Sequence, residues 1–330
     1  MYIWKNYNYN VAHSLECEER EVMQSEKTPT VQNTLKSLEE TQTKIVFVIN
    51  PVSGTERKEH IVTLIHEILK LSGIYYDIVY TNFAGHATEL AKQAIEQKYD
   101  AVVAVGGDGT INEIAQALIK TKTALAIVPQ GSGNGLARHL GVPLNTEAAI
   151  KRLLEPKKML IDAATANGNH FFCTSGVGFD AHVSASFASR ALRGLAGYTY
   201  FTTRELFTYR PLTYTLEFDG KVMEKEAFLI AFANATQYGN NVYIAPQADI
   251  QDGKLDICII KNLPKIQMPK LFFQIFNRSL PQNPYVEFYK ASSIKISFDK
   301  AIPAHIDGES KGLGTSIEYK SISKALTVWV

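Results

Sequence analysis

From residue 44 onward the chain alternates between two apolar textures. KIVFVIN (44–50) is a short, continuously apolar run, as expected of a strand buried on both faces, and NPVSG (50–54) closes it with turn chemistry. Ile61, Leu64, Ile65, Ile68 and Leu69 then recur at helical spacing and define one buried helix face. YYDIVYT (75–81) reads as a second strand, and HATELAKQAIEQKY (86–99) as a helix packed through Leu90, Ala94 and Ile95. DAVVAV (100–105) is a third strand and ALAIVP (124–129) a fourth. Between them Ile111, Ile114, Ala115, Leu118 and Ile119 mark a helix. Strands alternating with helices through short loops predict a parallel sheet covered on both faces.

The pattern changes after about residue 160. HFFCTS, TYTLEF, AFLIAFAN, KLDICII, SIKISF, TSIEYK and ALTVWV are short β candidates separated by turn residues, so this half is expected to be mainly antiparallel. Two stretches in it read as helical, 186–209 and 264–280. Residues 1–43 are polar without a sustained period and read as a tail that carries no assigned function. The expected organisation is a tail (1–43), an α/β domain (44–158) and a β domain (159–330).

Composition narrows the partners. The 330 residues are 45% hydrophobic and 20% charged with net charge +1, which gives no electrostatic reason to expect nucleic acid. Cys17, Cys173 and Cys258 are odd in number and widely spaced, and read as free thiols rather than a disulfide frame or zinc site. No apolar run is long enough to span a bilayer, so the expected location is cytoplasmic, with at most peripheral membrane contact.

The candidate chemistry lies where the strands end. Gly106-Gly107-Asp108-Gly109-Thr110 falls between a strand and a helix. Glycine lets backbone N–H groups approach an anion, and a helix beginning there adds unpaired N–H groups and a positive dipole end. An aspartate beside phosphates makes sense if a cation lies between them or if it accepts a proton; a plain turn with Asp108 as helix cap is the simpler alternative. Two further loops, Asn50 to Gly54 and Pro129 to Gly135 (PQGSGNG), end strands of the same sheet. Three such loops on one sheet edge, where α/β proteins bind ligands, point to a nucleotide cage. The sequence has no GxxxxGK followed by Ser or Thr, so this is not a P-loop enzyme, and neither GxSxG nor HExxH occurs.

NPVSG, GGDGT and GSGN in this order and spacing resemble the diacylglycerol kinase catalytic domain family, which includes sphingosine and ceramide kinases and bacterial lipid kinases. Gly178-Phe179-Asp180-Ala181, Asp252-Gly253-Lys254-Leu255-Asp256 and Asp307-Gly308-Glu309 resemble later motifs of that family, so the likeness covers about residues 44–330. It implies an α/β nucleotide domain, a β-sandwich domain and an active site in the cleft between them. It also implies an ATP- and Mg²⁺-dependent kinase acting on a long-chain lipid alcohol of diacylglycerol or sphingoid-base type, peripheral to a membrane.

By position, Asn50, Pro51, Ser53, Gly54, Thr81, Gly106, Gly107, Asp108, Gly109, Thr110 and Asn112 are implied to contact ATP. Gly131, Ser132, Asn134 and Glu309 join them. Asp307 is implied as the base that takes the lipid hydroxyl proton, and Asp108 as organiser of nucleotide and Mg²⁺. In the sphingosine kinase branch the base is the aspartate matching Asp108. Asp249, Asp252 and the backbone at Lys254 match a magnesium position. Arg190 and Arg193 are candidate phosphate clamps. The apolar residues Leu271, Phe272, Phe273, Ile275 and Phe276 beside Lys265, Lys270 and Arg278, together with Tyr198, Phe201, Leu206, Phe207 and Tyr209, are a candidate acyl groove with a basic rim. Packing of these helices on the β domain is the alternative. Two other functions stay open: a kinase of a soluble acceptor such as NAD, and a catalytically silent nucleotide-binding regulator. A homodimer is compatible with the sequence.

Overall fold

The computed structural model describes residues 42–188, 205–206 and 208–330. The tail up to residue 41, Arg190, Arg193, Tyr198, Phe201 and Phe207 lie outside the described residues.

The first half forms as its apolar pattern dictates. Strands β1 (Lys44–Ile49), β2 (Tyr75–Tyr80), β3 (Ala101–Gly106) and β4 (Ala124–Pro129) pair in parallel in the order β4-β3-β1-β2. The two central apolar runs are buried throughout β3 and β4. Helices α1 (Lys58–Leu69), α2 (His86–Glu96) and α3 (Asp108–Leu118) cover the sheet, followed by the short helices α4 (Gly135–His139) and α5 (Thr146–Arg152). Ile61, Ile65 and Leu69 of α1, and Ile111, Ile114 and Leu118 of α3, carry the buried stripes expected of amphipathic helices.

The second half is antiparallel. Its strands are β5 (Lys158–Ala166), β6 (Asn169–Phe171), β7 (Thr174–Gly178), β8 (Leu212–Phe218), β9 (Lys221–Ala233), β10 (Leu255–Lys261), β11 (Val286–Ala291), β12 (Ser293–Ser297), β13 (Pro303–Ile306), β14 (Glu309–Gly312) and β15 (Ser316–Trp329). They build a β-sandwich around a second core that includes Phe171, Tyr214, Phe232, Ile257, Ile294 and Tyr319. A third cluster on its outer side seats α6 (Phe179–Ala188) and α7 (Met268–Phe276).

Three expectations change on contact with the fold. α6 begins at Phe179, where the chain turns at Gly178 directly out of β7, ahead of the expected start at 186, and most of the helix expected over 186–209 lies outside the described residues. VEFYKA forms β11, an edge strand whose polar residues hid it from an apolar pattern. TSIEYK and ALTVWV are one strand, β15, broken in register between Ile322 and Leu326. Its last residues cross back to the first domain, with Val328 and Trp329 pairing in parallel with Leu125 and Ala126 of β4. β15 therefore extends the sheet of the first domain, and Leu326, Val328 and Trp329 belong to its core. Among the described residues no helix is long and apolar enough to cross a membrane.

Candidate active site

The three glycine loops meet. A Cβ on Gly54, whose φ is +65°, would lie 2.4 Å from the carbonyl oxygen of Gln130, so the NPVSG loop is seated directly on the PQGSGN loop. A Cβ on Gly131 would lie 2.7 Å from the Cα of Gly107, so the PQGSGN loop is pressed in turn against GGDGT. No side chain fits at either contact. We expect Gly54→Ala to destabilise the protein by at least about 1 kcal/mol, since alanine at positive φ is strained before the clash is counted. A thermal unfolding curve that matches wild type would contradict this.

Polar side chains tie the loops further. Asn50 donates from Nδ2 to Thr110 Oγ1 at 3.0 Å, linking NPVSG to GGDGT, and accepts from the Val52 N–H at 3.1 Å. The buried Lys58 ammonium donates to the Ser53 carbonyl, and burial lowers its pKa. Thr81 is buried and donates its backbone N–H to the Ile49 carbonyl at 2.9 Å.

Asp108 joins the loops by a different route from the one its sequence position suggests. It makes no cap on its own helix α3. Its Oδ2 accepts the Asn134 N–H and its Oδ1 the Gly135 N–H, both at 2.8 Å, so it caps the next helix, α4. The Asn134 side chain closes the turn by pairing with the backbone of Gly131.

Asp307 enters from the β-sandwich, at the β13–β14 turn, in the left-handed region with φ 45°. Its Oδ1 accepts the N–H groups of Cys173 and Thr174 at 2.9 and 3.0 Å. Its Oδ2 accepts the Phe172 N–H at 3.0 Å and the Asn112 amide at 2.8 Å. Asn112 lies on α3, one turn beyond the glycine corner, and its side-chain Oδ1 accepts from the Gln116 amide. Burial pushes the Asp307 carboxyl above the usual aspartate value, against the pull of these donors toward the ionised form. Cys173, between the two carboxylates, has its thiol raised by burial and by the charges of Asp307 and Asp108, which rules it out as a ready nucleophile.

A cleft of about 450 Å³ runs between the domains. Gly107, Asp108, Gly109, Asn112, Gly131 and Ser132 line it from one side, and Asp307 and Glu309 from the other. A Cβ on Gly109 would lie 3.6 Å from Glu309 Oε1, which measures how closely the two motifs face. Asn50, Pro51, Ser53, Gly54 and Thr81 do not line this cleft; the NPVSG loop meets it only through its contacts with Gln130 and Thr110. Asp249, Asp252 and Lys254 are held elsewhere: Asp249 accepts the Gln251 N–H, while Asp252 accepts the Lys254 N–H and pairs with Lys290 at 2.8 Å. Asp256 is buried beside the same lysine.

One part of the site escaped the sequence reading. The Tyr238–Asn241 loop of the β-sandwich lies against the GSGN loop, where Asn240 donates its N–H to the Gly133 carbonyl at 3.1 Å. Gly239, Asn240 and Asn241 all have positive φ, and a Gly-Asn-Asn run is a signal that could have marked this turn. Asp180, at the head of α6, accepts from Tyr238 at 2.7 Å and pairs with buried His305 at 3.0 Å, two residues before Asp307.

An α/β domain with parallel strands is joined to an antiparallel β-sandwich that presents the Asp307 carboxylate at the cleft, and known proteins share this fold. A family model for the diacylglycerol kinase catalytic domain matches residues 44–166, and one for the YegS C-terminal NAD kinase beta sandwich-like domain matches residues 174–330. A YegS-like protein of Chromohalobacter salexigens, named a probable lipid kinase, is 31% identical over 68% of this chain and 74% of its own length. A Bacillus subtilis diacylglycerol kinase is 26% identical over 81% of this chain and 90% of its own. A crystal structure from Bacillus anthracis, of a protein provisionally classed as a diacylglycerol kinase, has a TM-score of 0.74 at 26% identity, covering 86% of this chain and 94% of that one. The chain belongs to the diacylglycerol kinase family of lipid kinases.

Proposed function

We propose that the protein transfers the γ-phosphate of ATP, with Mg²⁺, to the hydroxyl of a long-chain lipid alcohol of the diacylglycerol or sphingoid-base type, taken from a membrane surface. The observation that carries this reading is the 2.8 Å hydrogen bond between Asn112 and Asp307, which sets a carboxylate of one domain beside the glycine cage of the other. Phosphoryl transfer has a loose transition state, so the protein's work is positioning and charge neutralisation. The glycine loops supply backbone N–H groups and the N-terminus of α3 for phosphate oxygens. Asp307 accepts the proton of the attacking hydroxyl, and its raised pKa makes it a better acceptor than an exposed aspartate.

The cleft also fits a magnesium ion carried in with the nucleotide, which usually needs one or two carboxylates and keeps several waters. Asp108 and Glu309 are the carboxylates on the cleft wall beside the phosphate loops, and Glu309 has no ion-pair partner among the described residues. When bound there, the ion would neutralise charge on the phosphate oxygens. A cation at the Asp249–Lys254 turn would have to replace the Lys290 ammonium on Asp252, so that turn is given no step in the transfer.

The test is incubation with γ-labelled ATP, a total lipid extract and NAD, followed by separation of the products. Label in a lipid supports the reading. Label in NAD, or tight Mg-ATP binding without any labelled product, replaces it with the soluble-acceptor or silent-regulator alternative. A finer prediction follows from Asn112, whose amide holds the ionised form of Asp307. Without it the Asp307 pKa rises further. A base works only when deprotonated, so in Asn112→Ala the acidic limb of the pH–rate profile is expected to move to higher pH. An unmoved limb would show that Asp307 is not the group titrating.

A further inference from the structure

The region 257–286 carries its apolar residues and its charges in an unusual arrangement. Among the described residues, four of the large exposed apolar side chains fall within residues 266–276: Ile266 (83% exposed), Phe272 (41%), Phe273 (68%) and Phe276 (54%). Helical geometry separates them from the core. At about 100° per residue, Phe272, Phe273 and Phe276 share one arc of α7 with exposed Pro269, and Met268, Leu271, Gln274 and Ile275 share the opposite, buried arc. Leu271 and Ile275 thus pack into the β-sandwich, and the phenylalanines face outward, away from the role of core residues.

The charge is one-sided. From Ile257 through Val286 the sequence contains Lys261, Lys265, Lys270 and Arg278 and no acidic residue. Lys261 is drawn to Glu287, and Arg278 lies over the Tyr243 ring and donates to its hydroxyl. Exposed Lys270 is one residue from Leu271 and two from Phe272, at the edge of the apolar arc. An exposed aromatic stripe flanked by exposed Lys265 and Lys270, with no acidic residue in its own segment, matches the boundary between acyl chains and anionic headgroups. A protein partner is less well matched, since the stripe offers an aromatic surface with no acidic side chain to pair with a basic one.

The stripe also connects to the reaction centre. Tyr243 donates its N–H to the Ile275 carbonyl at 3.0 Å, and the cluster that seats α7 includes Phe179 and Val183 of α6. The head of α6 supplies Asp180, which pairs with His305 beside Asp307.

We propose that the outward face of 266–276 is the surface by which the protein docks on an anionic bilayer, with Ile266, Phe273 and Phe276 entering the interface and Lys270 meeting lipid headgroups. The inference builds on the lipid-kinase reading, because a substrate that resides in a bilayer requires such a surface, but the contact itself needs neither nucleotide nor acceptor.

The test uses the full chain without ATP or acceptor lipid, in flotation with phosphatidylcholine vesicles and with vesicles containing phosphatidylglycerol. Wild type is expected to float with the anionic vesicles and much less with the neutral ones. The triple variant I266S/F273S/F276S is expected to lose at least about a hundredfold in partitioning, near tenfold per side chain removed from the interface. Lys270→Glu should lose less and respond to salt. All three positions are exposed, so the variants are expected to keep the fold, and thermal unfolding curves beside wild type report on that directly. Three results would overturn the proposal: wild type left behind by anionic vesicles, a triple variant that floats as wild type does, or a wild-type dimer in sedimentation that the variant dissolves. Absence of labelled lipid alcohol with vesicle binding intact would count against the kinase reading and leave the docking surface standing.

Discussion

Asp307→Asn is expected to lower kcat for lipid phosphorylation by about 10²- to 10⁴-fold, the usual worth of a positioned proton acceptor, with the affinity for ATP nearly unchanged. The separation of the two effects is geometric. Asp307 comes from the β13–β14 turn and is hydrogen-bonded to the first domain through Asn112, while the three glycine loops belong to the first domain. An asparagine keeps the volume but turns an N–H₂ group toward donors that the carboxylate had accepted, from Phe172, Cys173, Thr174 and Asn112. Some stability is therefore lost as well, and unfolding midpoints measured beside the kinetics show whether the rate falls further than the folded fraction does. Full activity in the variant would remove Asp307 from the role of base.

For Asp108 the expected signature is the reverse. Both of its oxygens hold the backbone of the GSGN loop, through Asn134 and Gly135. Asp108→Ala leaves two N–H groups at the start of α4 without their acceptor. Hydrogen bonds to a charged acceptor contribute about 1.5 kcal/mol each at the lower end, which suits this half-exposed group. Two of them amount to about 3 kcal/mol, or about a hundredfold. That loss should appear in nucleotide affinity, measured by titration with Mg-ATP, because the loop that relaxes lines the cleft proposed to take the phosphates. The same pair of measurements decides between the two aspartates as proton acceptor. A fall in kcat with unchanged ATP affinity in Asp108→Asn would transfer the base role to Asp108 and leave Asp307 as a structural acceptor.

Much of the first domain was legible in the chain. Its strands are continuous apolar runs and its helices have a clear stripe, so local burial alone dictates each element. The glycines of NPVSG, GGDGT and GSGN were equally legible, because a backbone that must approach another backbone cannot carry a Cβ, and Gly54 and Gly131 meet that condition. The motif order carried the likeness to the lipid kinases, which the family comparisons bear out.

Other features depend on contacts between residues far apart in the chain. Asn112 and Asp307 stand 195 residues apart, and no local periodicity records that an amide on one helix will meet a carboxylate on a distant turn. Asp108 looks like a cap for the helix it begins and instead caps another, because the loop after β4 is folded over it. ALTVWV is apolar enough for any buried strand; that it runs beside β4 follows from the closure of the two domains on each other. The phenylalanines of α7 are equally apolar as text, and only packing decides which side chains meet a core and which meet water. Short-range preference names the parts of this protein, while long-range packing, which depends on the path of the whole backbone, chooses their partners.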